Sequence, residues 1–120
     1  MPFRFEGLQI WHQSIDFAEF VYRYAGAFPD HERYSLTSQM TRAANSVSLN
    51  IAEGAGRDTD ADFGRFLGIA VGSTFEVVSG SFIAQKRGYV TRGQHEDLYR
   101  SAEKLAKGIN SFRRTLDRKL

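Results

Sequence analysis

Leu98, Ala102, Leu105, Ile109, Phe112 and Leu116 recur at steps of four and three, the period of one helix face. Arg100, Lys104, Lys107, Ser111, Arg114 and Arg118 keep that rhythm two residues later, about 200° around the same helix. The segment 92–118 is therefore predicted to be a helix with one apolar and one basic face. Earlier in the chain, Leu8, Trp11, Ile15, Ala18, Tyr22 and Ala25 trace a heptad seam over 8–27. Ile10, Phe17, Val21 and Tyr24 widen it, so this first helix should reach more than one neighbour. Phe28-Pro29 stops it, because the residue before a proline is pushed out of the helical region. A second stripe, Leu36, Met40, Ala43/Ala44, Val47 and Ile51, predicts a helix over 35–54 capped by Ser35 or Thr37.

Gly54-Ala55-Gly56 breaks that helix, and Thr59 with Asp62 three residues on has the form of a capping box. The third helix should run over 60–87, with Lys86 and Arg87 in its last turn and Gly88 just beyond. Thr91 and Gln94 cap the fourth after a short turn, which makes the two helices antiparallel neighbours. No alternating strand pattern competes. The expected fold is all-α: one domain, 1–120, an antiparallel up-down-up-down four-helix bundle.

At 120 residues the chain is long enough to bury a core without staples, and 42% hydrophobic with 25% charged residues is ordinary for a globular domain. With no cysteine, disulfides and thiolate metal sites are excluded. The start, Met1 to Glu6, has no apolar run, and Phe66–Phe75 is far short of the roughly 20 residues of a membrane span. A cytoplasmic chain without a membrane partner is expected. Charge alters the picture more. Residues 1–85 hold six Lys/Arg against ten Asp/Glu, whereas residues 86–120 hold ten against four. The basic end points to an anionic partner.

Three candidate chemistries need weighing. Beside the core stripe of the second helix run Gln39, Arg42, Ser46, Asn50, Glu53 and, one step on, Arg57. With Asp16 and Glu76 from other helices, Arg42, Asn50, Glu53 and Arg57 are read as a partly buried polar network that sets helix register. The alternatives are a binding pocket, or Glu53 and Glu76 as an acid–base pair. Gly64, Gly68 and Gly72, four apart in a helix, each cost about 1 kcal/mol relative to alanine. Close approach of another helix, from this chain or another subunit, is the expected compensation. Metal and cofactor sites are not expected: His12, His31 and His95 are preceded three residues earlier by Gln9, Phe28 and Arg92, not by the glutamate of a di-iron bundle. Gly54-Ala55-Gly56-Arg57 follows a helix and lacks Gly-Lys-Ser/Thr, so it reads as a helix break more than a phosphate loop.

Several stretches together resemble a known family. They are Leu8-Gln9-Ile10-Trp11, Phe28-Pro29, Leu36-Thr37-Ser38-Gln39, Arg42-Ala43-Ala44, Asn50-Ile51-Ala52-Glu53-Gly54, Gly56-Arg57, Phe66-Leu67, Gly72-Ser73 and Gly88-Tyr89-Val90. The chain resembles the four-helix-bundle proteins encoded in intervening sequences of bacterial large-subunit rRNA genes. More distantly it is similar to the accessory variability determinant of diversity-generating retroelements. The resemblance implies a bundle and, through the retroelement relative, a ring-shaped homo-oligomer, a pentamer, whose basic surface engages nucleic acid and a reverse transcriptase. Thr41 stands where the family usually has a second basic residue, and Gly64 and Gly68 replace larger or polar ones.

The functional expectation is a non-enzymatic oligomeric adaptor that binds RNA, DNA or a ribonucleoprotein through Arg100, Lys104, Lys107, Arg114 and Arg118. The alternative is a protein–protein module whose basic face meets an acidic partner.

Overall fold

The computed structural model describes residues 2–117, all of whose regular structure is helical. A 3₁₀ turn at Arg4–Gly7 leads into α1 (Gln9–Gly26), and another at Asp30–Glu32 leads into α2 (Leu36–Ala55). The long helices α3 (Asp60–Lys86) and α4 (Arg92–Asp117) follow after short turns. α1 packs on α2 and α4, and α3 packs on the same two helices, while neither diagonal pair meets. The helices therefore occupy four corners in chain order, an up-down-up-down bundle measuring 47 × 23 × 20 Å.

The helix ends follow from local chemistry. Gly88 takes φ 78°, a left-handed conformation open to glycine. It lets the Tyr89 amide reach the Ala84 carbonyl (2.9 Å) and the Gly88 amide reach Gln85 (3.0 Å), a Schellman closure of α3. Thr91 and Gln94 exchange reciprocal hydrogen bonds at the start of α4 (2.8 and 3.1 Å). At α3 the Thr59 hydroxyl accepts from the Asp62 amide, while the Asp62 carboxylate turns to Arg57 and Arg65 instead. Neither Ser35 nor Thr37 caps α2. The Leu36 amide there donates to Glu32, a carboxylate supplied by the preceding connector.

The core is built from Val21, Met40, Val47, Ile51, Phe63, Leu67, Val77, Leu98, Ile109 and Leu116, all but sealed from solvent. On α1 the buried face is Ile10, Ser14, Phe17, Ala18, Val21 and Ala25. This corrects the heptad reading, because Ile15 and Tyr22 of that seam point outward. Two apolar arcs overlap on α1, and only the one facing α2 and α4 is covered. By length and composition α3 is apolar enough to cross a bilayer, yet half of its most apolar stretch is buried in the bundle, as befits a core helix.

Candidate nucleic-acid interface

α4 positions the basic row. At 100° per residue, Arg100, Lys104, Lys107 and Arg114 fall within a sector of about 80°, centred opposite Leu98, Leu105 and Ile109. All four are exposed. From Arg100 to Arg114 the row runs about 21 Å at 1.5 Å per residue. Arg118 lies outside the described residues. Glu96 stands 3.7 Å from Arg100, and Glu103 stands 3.9 Å from Lys107. At 73% and 75% side-chain exposure those two cations are screened by water, so each pair is worth no more than about 0.5 kcal/mol and leaves them available. Among the described residues, no carboxylate lies within ion-pair distance of Lys104 or Arg114. Arg114 is instead held toward the Ser111 hydroxyl (3.2 Å).

The polar network expected around α2 is not assembled. Asp16, Arg42, Glu53, Arg57 and Glu76 are exposed, and Asn50 is half-buried. They separate into four places. Asp16 lines a cleft between α1 and α4 beside Lys104. Arg42 and Glu76 line an open groove of about 580 Å³ between α2 and α3, floored by Leu36, Met40 and Ala43. Glu53 and Arg57 pair on the surface at 3.1 Å. Asn50 donates to the Ser46 carbonyl and hydroxyl, and the Ser73 hydroxyl donates to Ser46 Oγ. A stripe one residue off the core stripe sits about 100° from it, on the flank of α2, where Ser73 of α3 meets Ser46 but the charged members stay exposed. Glu53 and Glu76 therefore form no acid–base pair.

The glycines also separate. A Cβ on Gly64 or Gly68 would meet the side chain of Arg113, whose guanidinium lies 3.1–3.2 Å from the Gly68 position. A Cβ on Gly72 would meet nothing within 4 Å. Close packing within the chain falls at two other glycines. At Gly54 a Cβ would stand 2.7 Å from Phe66 Cβ, and at Gly80 2.6 Å from Met40 Cγ. Local spacing marks Gly54 only as part of a glycine-rich break and does not mark Gly80, whose contact comes from α2.

Two buried polar clusters escaped the sequence reading. Glu32, 7% exposed at its side chain, receives Arg87 at 2.8 Å and the Tyr89 hydroxyl at 2.6 Å, tying the α1–α2 connector to the end of α3. The Tyr89 hydrogen bond, against the opposing effect of burial, sets the Glu32 pKa below the usual carboxylate value, and the same bond raises that of Tyr89. Behind it, Tyr24, Ser81 and His95 form a chain of hydrogen bonds at 2.6 and 2.7 Å, and burial raises the Tyr24 pKa. Their members lie 14 to 57 residues apart, so no local spacing marks them. No cluster of metal-ligating side chains occurs among the described residues.

Residues 6–111 match the model of the 23S rRNA-intervening sequence protein family, which spans most of the sequence. The chain belongs to that family. Among solved structures, this intervening-sequence protein is similar to a Bacteroides thetaiotaomicron protein of unknown function from the S23 ribosomal protein family. The two share 23% identity with a TM-score of 0.76, over 86% of this chain and 96% of that one. This supports the four-helix fold. No curated protein sequence matches. The more distant likeness to the retroelement determinant rests on the residues quoted above alone.

Proposed function

We propose that this intervening-sequence protein is a non-enzymatic adaptor, assembled as a homo-oligomer, that binds RNA or DNA through the exposed face of α4. The observation that carries the reading is the row Arg100, Lys104, Lys107 and Arg114, four exposed cations in one sector directly opposite the core. A nucleic-acid strand carries about six phosphates over such a length at 3.4 Å spacing. Tyr99 and Phe112 lie off the row, toward α3 and the core, so contacts are to phosphate and sequence-tolerant. The ring and the number five come from analogy with the retroelement determinant.

Fluorescence anisotropy with unspecific single- and double-stranded RNA and DNA at two salt concentrations tests this. With four phosphates neutralised, the logarithm of affinity for duplex DNA should fall about 3.6-fold as steeply as the logarithm of salt rises. Lys104→Glu/Lys107→Glu/Arg114→Glu should abolish binding while leaving helicity intact. No wild-type binding at low salt would defeat the reading and direct the search to an acidic protein partner for the same face.

A further inference from the structure

Three exposed aromatic side chains gather in one groove between α3 and α4. Phe75, Phe82 and Tyr99 are 63%, 53% and 42% exposed. With Val78 of α3 and Ala102 and Ala106 of α4 they line an open space of about 590 Å³. The rings at its upper end are held in place: Phe82 packs on His95 with centroids 4.3 Å apart, and Tyr99 stands edge-on to Phe82 at 6.4 Å and 89°. Phe75 lies two turns before Phe82 on the same face of α3, about 10 Å away at 1.5 Å per residue. Fixed rings that keep much of their surface in water are platforms for another flat, apolar surface.

The charges around the groove decide what kind of surface that is. Lys107 belongs both to the groove wall and to the basic row of α4. Tyr99 stands 80° from it around the helix, about 8 Å across a helix surface 10–12 Å in diameter. That is the reach from the phosphate of a nucleotide to its base. One turn beyond Asn110, which also lines the groove, the half-buried Arg113 lays its guanidinium on the glycine face of α3, 3.1–3.2 Å from where a Gly68 Cβ would stand. Among the described residues, no carboxylate lies within ion-pair distance of Arg113. Glu103 is the one acid on the groove wall, and it stands 3.9 Å from Lys107. An apolar protein surface would cover the rings but leave these cations unanswered. A strand of nucleotides answers both.

We propose that the α3/α4 groove takes the unpaired bases of a single-stranded RNA or DNA whose phosphates lie along α4, an inference that rests on the nucleic-acid part of the function above. Phe75, Phe82 and Tyr99 are the stacking faces, and Lys107 and Arg113 meet phosphates beside and beyond them. The distance from Phe75 to Phe82 spans about three base steps at 3.4 Å. The row by itself contacts phosphate and favours a duplex, whose charges are twice as dense along its axis. The groove reverses that preference, because a duplex keeps its base faces inside its own stack and only unpaired bases reach a side chain. Stacking on rings is open to every base, so recognition stays sequence-tolerant.

Anisotropy of the full chain with oligo(dT), oligo(U) and a DNA duplex of equal length tests this. The wild type should bind both single strands at least about fivefold more tightly than the duplex. Phe75→Leu/Phe82→Leu keeps apolar side chains but removes two rings. It should weaken single-strand binding by at least about fivefold, leave duplex binding unchanged and retain wild-type helicity by circular dichroism. Phe75→Tyr/Phe82→Tyr, which keeps the rings, should bind as the wild type does. Phe75→Trp adds a fluorophore to the groove, and its emission above that of Trp11 should be quenched by the single strands and not by the duplex. A wild type that prefers the duplex overturns the proposal. So does a leucine variant that weakens both kinds of binding by the same factor, or Phe75→Trp emission that stays unchanged in the single-strand complex. Salt-dependent binding indifferent to the ring variants defeats the groove alone, whereas no binding of any nucleic acid at low salt defeats the adaptor and the groove with it.

Discussion

α3 and α4 are nearly equal in length and pack along each other, yet their sequences carry different amounts of information. α4 separates its residues: Leu98, Leu105, Ile109 and Leu116 on one side, cations on the other, and the structure buries the first set and exposes the second. α3 does not separate them. Its apolar residues encircle the helix, so which side faces the core is decided by small residues and by what the neighbours bring. Gly80 accommodates Met40 on the inner side, while Gly72 faces outward with nothing beside it. A strongly amphipathic helix declares its own environment; an apolar one takes its environment from its partners.

The sharpest break of this comparison is on α4 itself. Ile109→Ala should cost about 2–5 kcal/mol in denaturant unfolding, since the side chain is fully buried. Arg114→Ala, on the other face, should stay within about 0.5 kcal/mol. Equal effects would mean that α4 is not divided into core and solvent faces.

The glycines of α3 should respond with opposite signs. Gly80→Ala places a methyl 2.6 Å from Cγ of the buried Met40, an overpacking cost of about 1–3 kcal/mol that the gain in helix propensity only partly offsets. Gly72→Ala meets open space and should stabilise the fold by about 1 kcal/mol. Thermal melts of the two variants would show it, and two shifts of the same sign would contradict the assignment of inner and outer sides.

The third expectation is a pH dependence at the place where α3 ends. Glu32 has a folded pKa held below its ordinary value of 4.5 by the Tyr89 hydrogen bond and Arg87. Its contribution to stability is therefore present above pH 4.5 and is lost as pH falls through the folded pKa. Glu32→Gln should flatten the acid limb of a stability–pH profile; an unchanged limb would place acid sensitivity elsewhere.

The smallest effect concerns the exposed pair. Glu53→Gln breaks a surface contact to Arg57 whose side chains are 57% and 42% exposed, and should change stability by no more than about 0.5 kcal/mol. A larger loss would restore the structural role that the sequence suggested for this stripe.

The candidate site was legible in proportion to its locality. The row on α4 is a matter of spacing within one helix, so Arg100, Lys104, Lys107 and Arg114 could be named in advance. The polar stripe is legible only in part. Its period is helical, but spacing along α2 cannot say how far another helix covers its flank, and α3 reaches Ser46 while leaving the charged members exposed. The same gap explains α1, where Ile15 and Tyr22 looked like core because nothing local distinguishes two overlapping apolar arcs.

By itself, then, the sequence determined that there are four helices, where glycine and proline interrupt them, and which face of α4 is buried. These follow from periodicity, capping and backbone conformational preference, all of which act within a few residues. The tertiary structure alone decided that Glu32 meets Arg87 and Tyr89 across more than fifty positions, that Ser81 links Tyr24 to His95, and that Gly54 and Gly80 are the sites of tight packing. Those contacts depend on which helices become neighbours and at what depth, and that is settled only when the chain folds back on itself and excludes water from one set of faces.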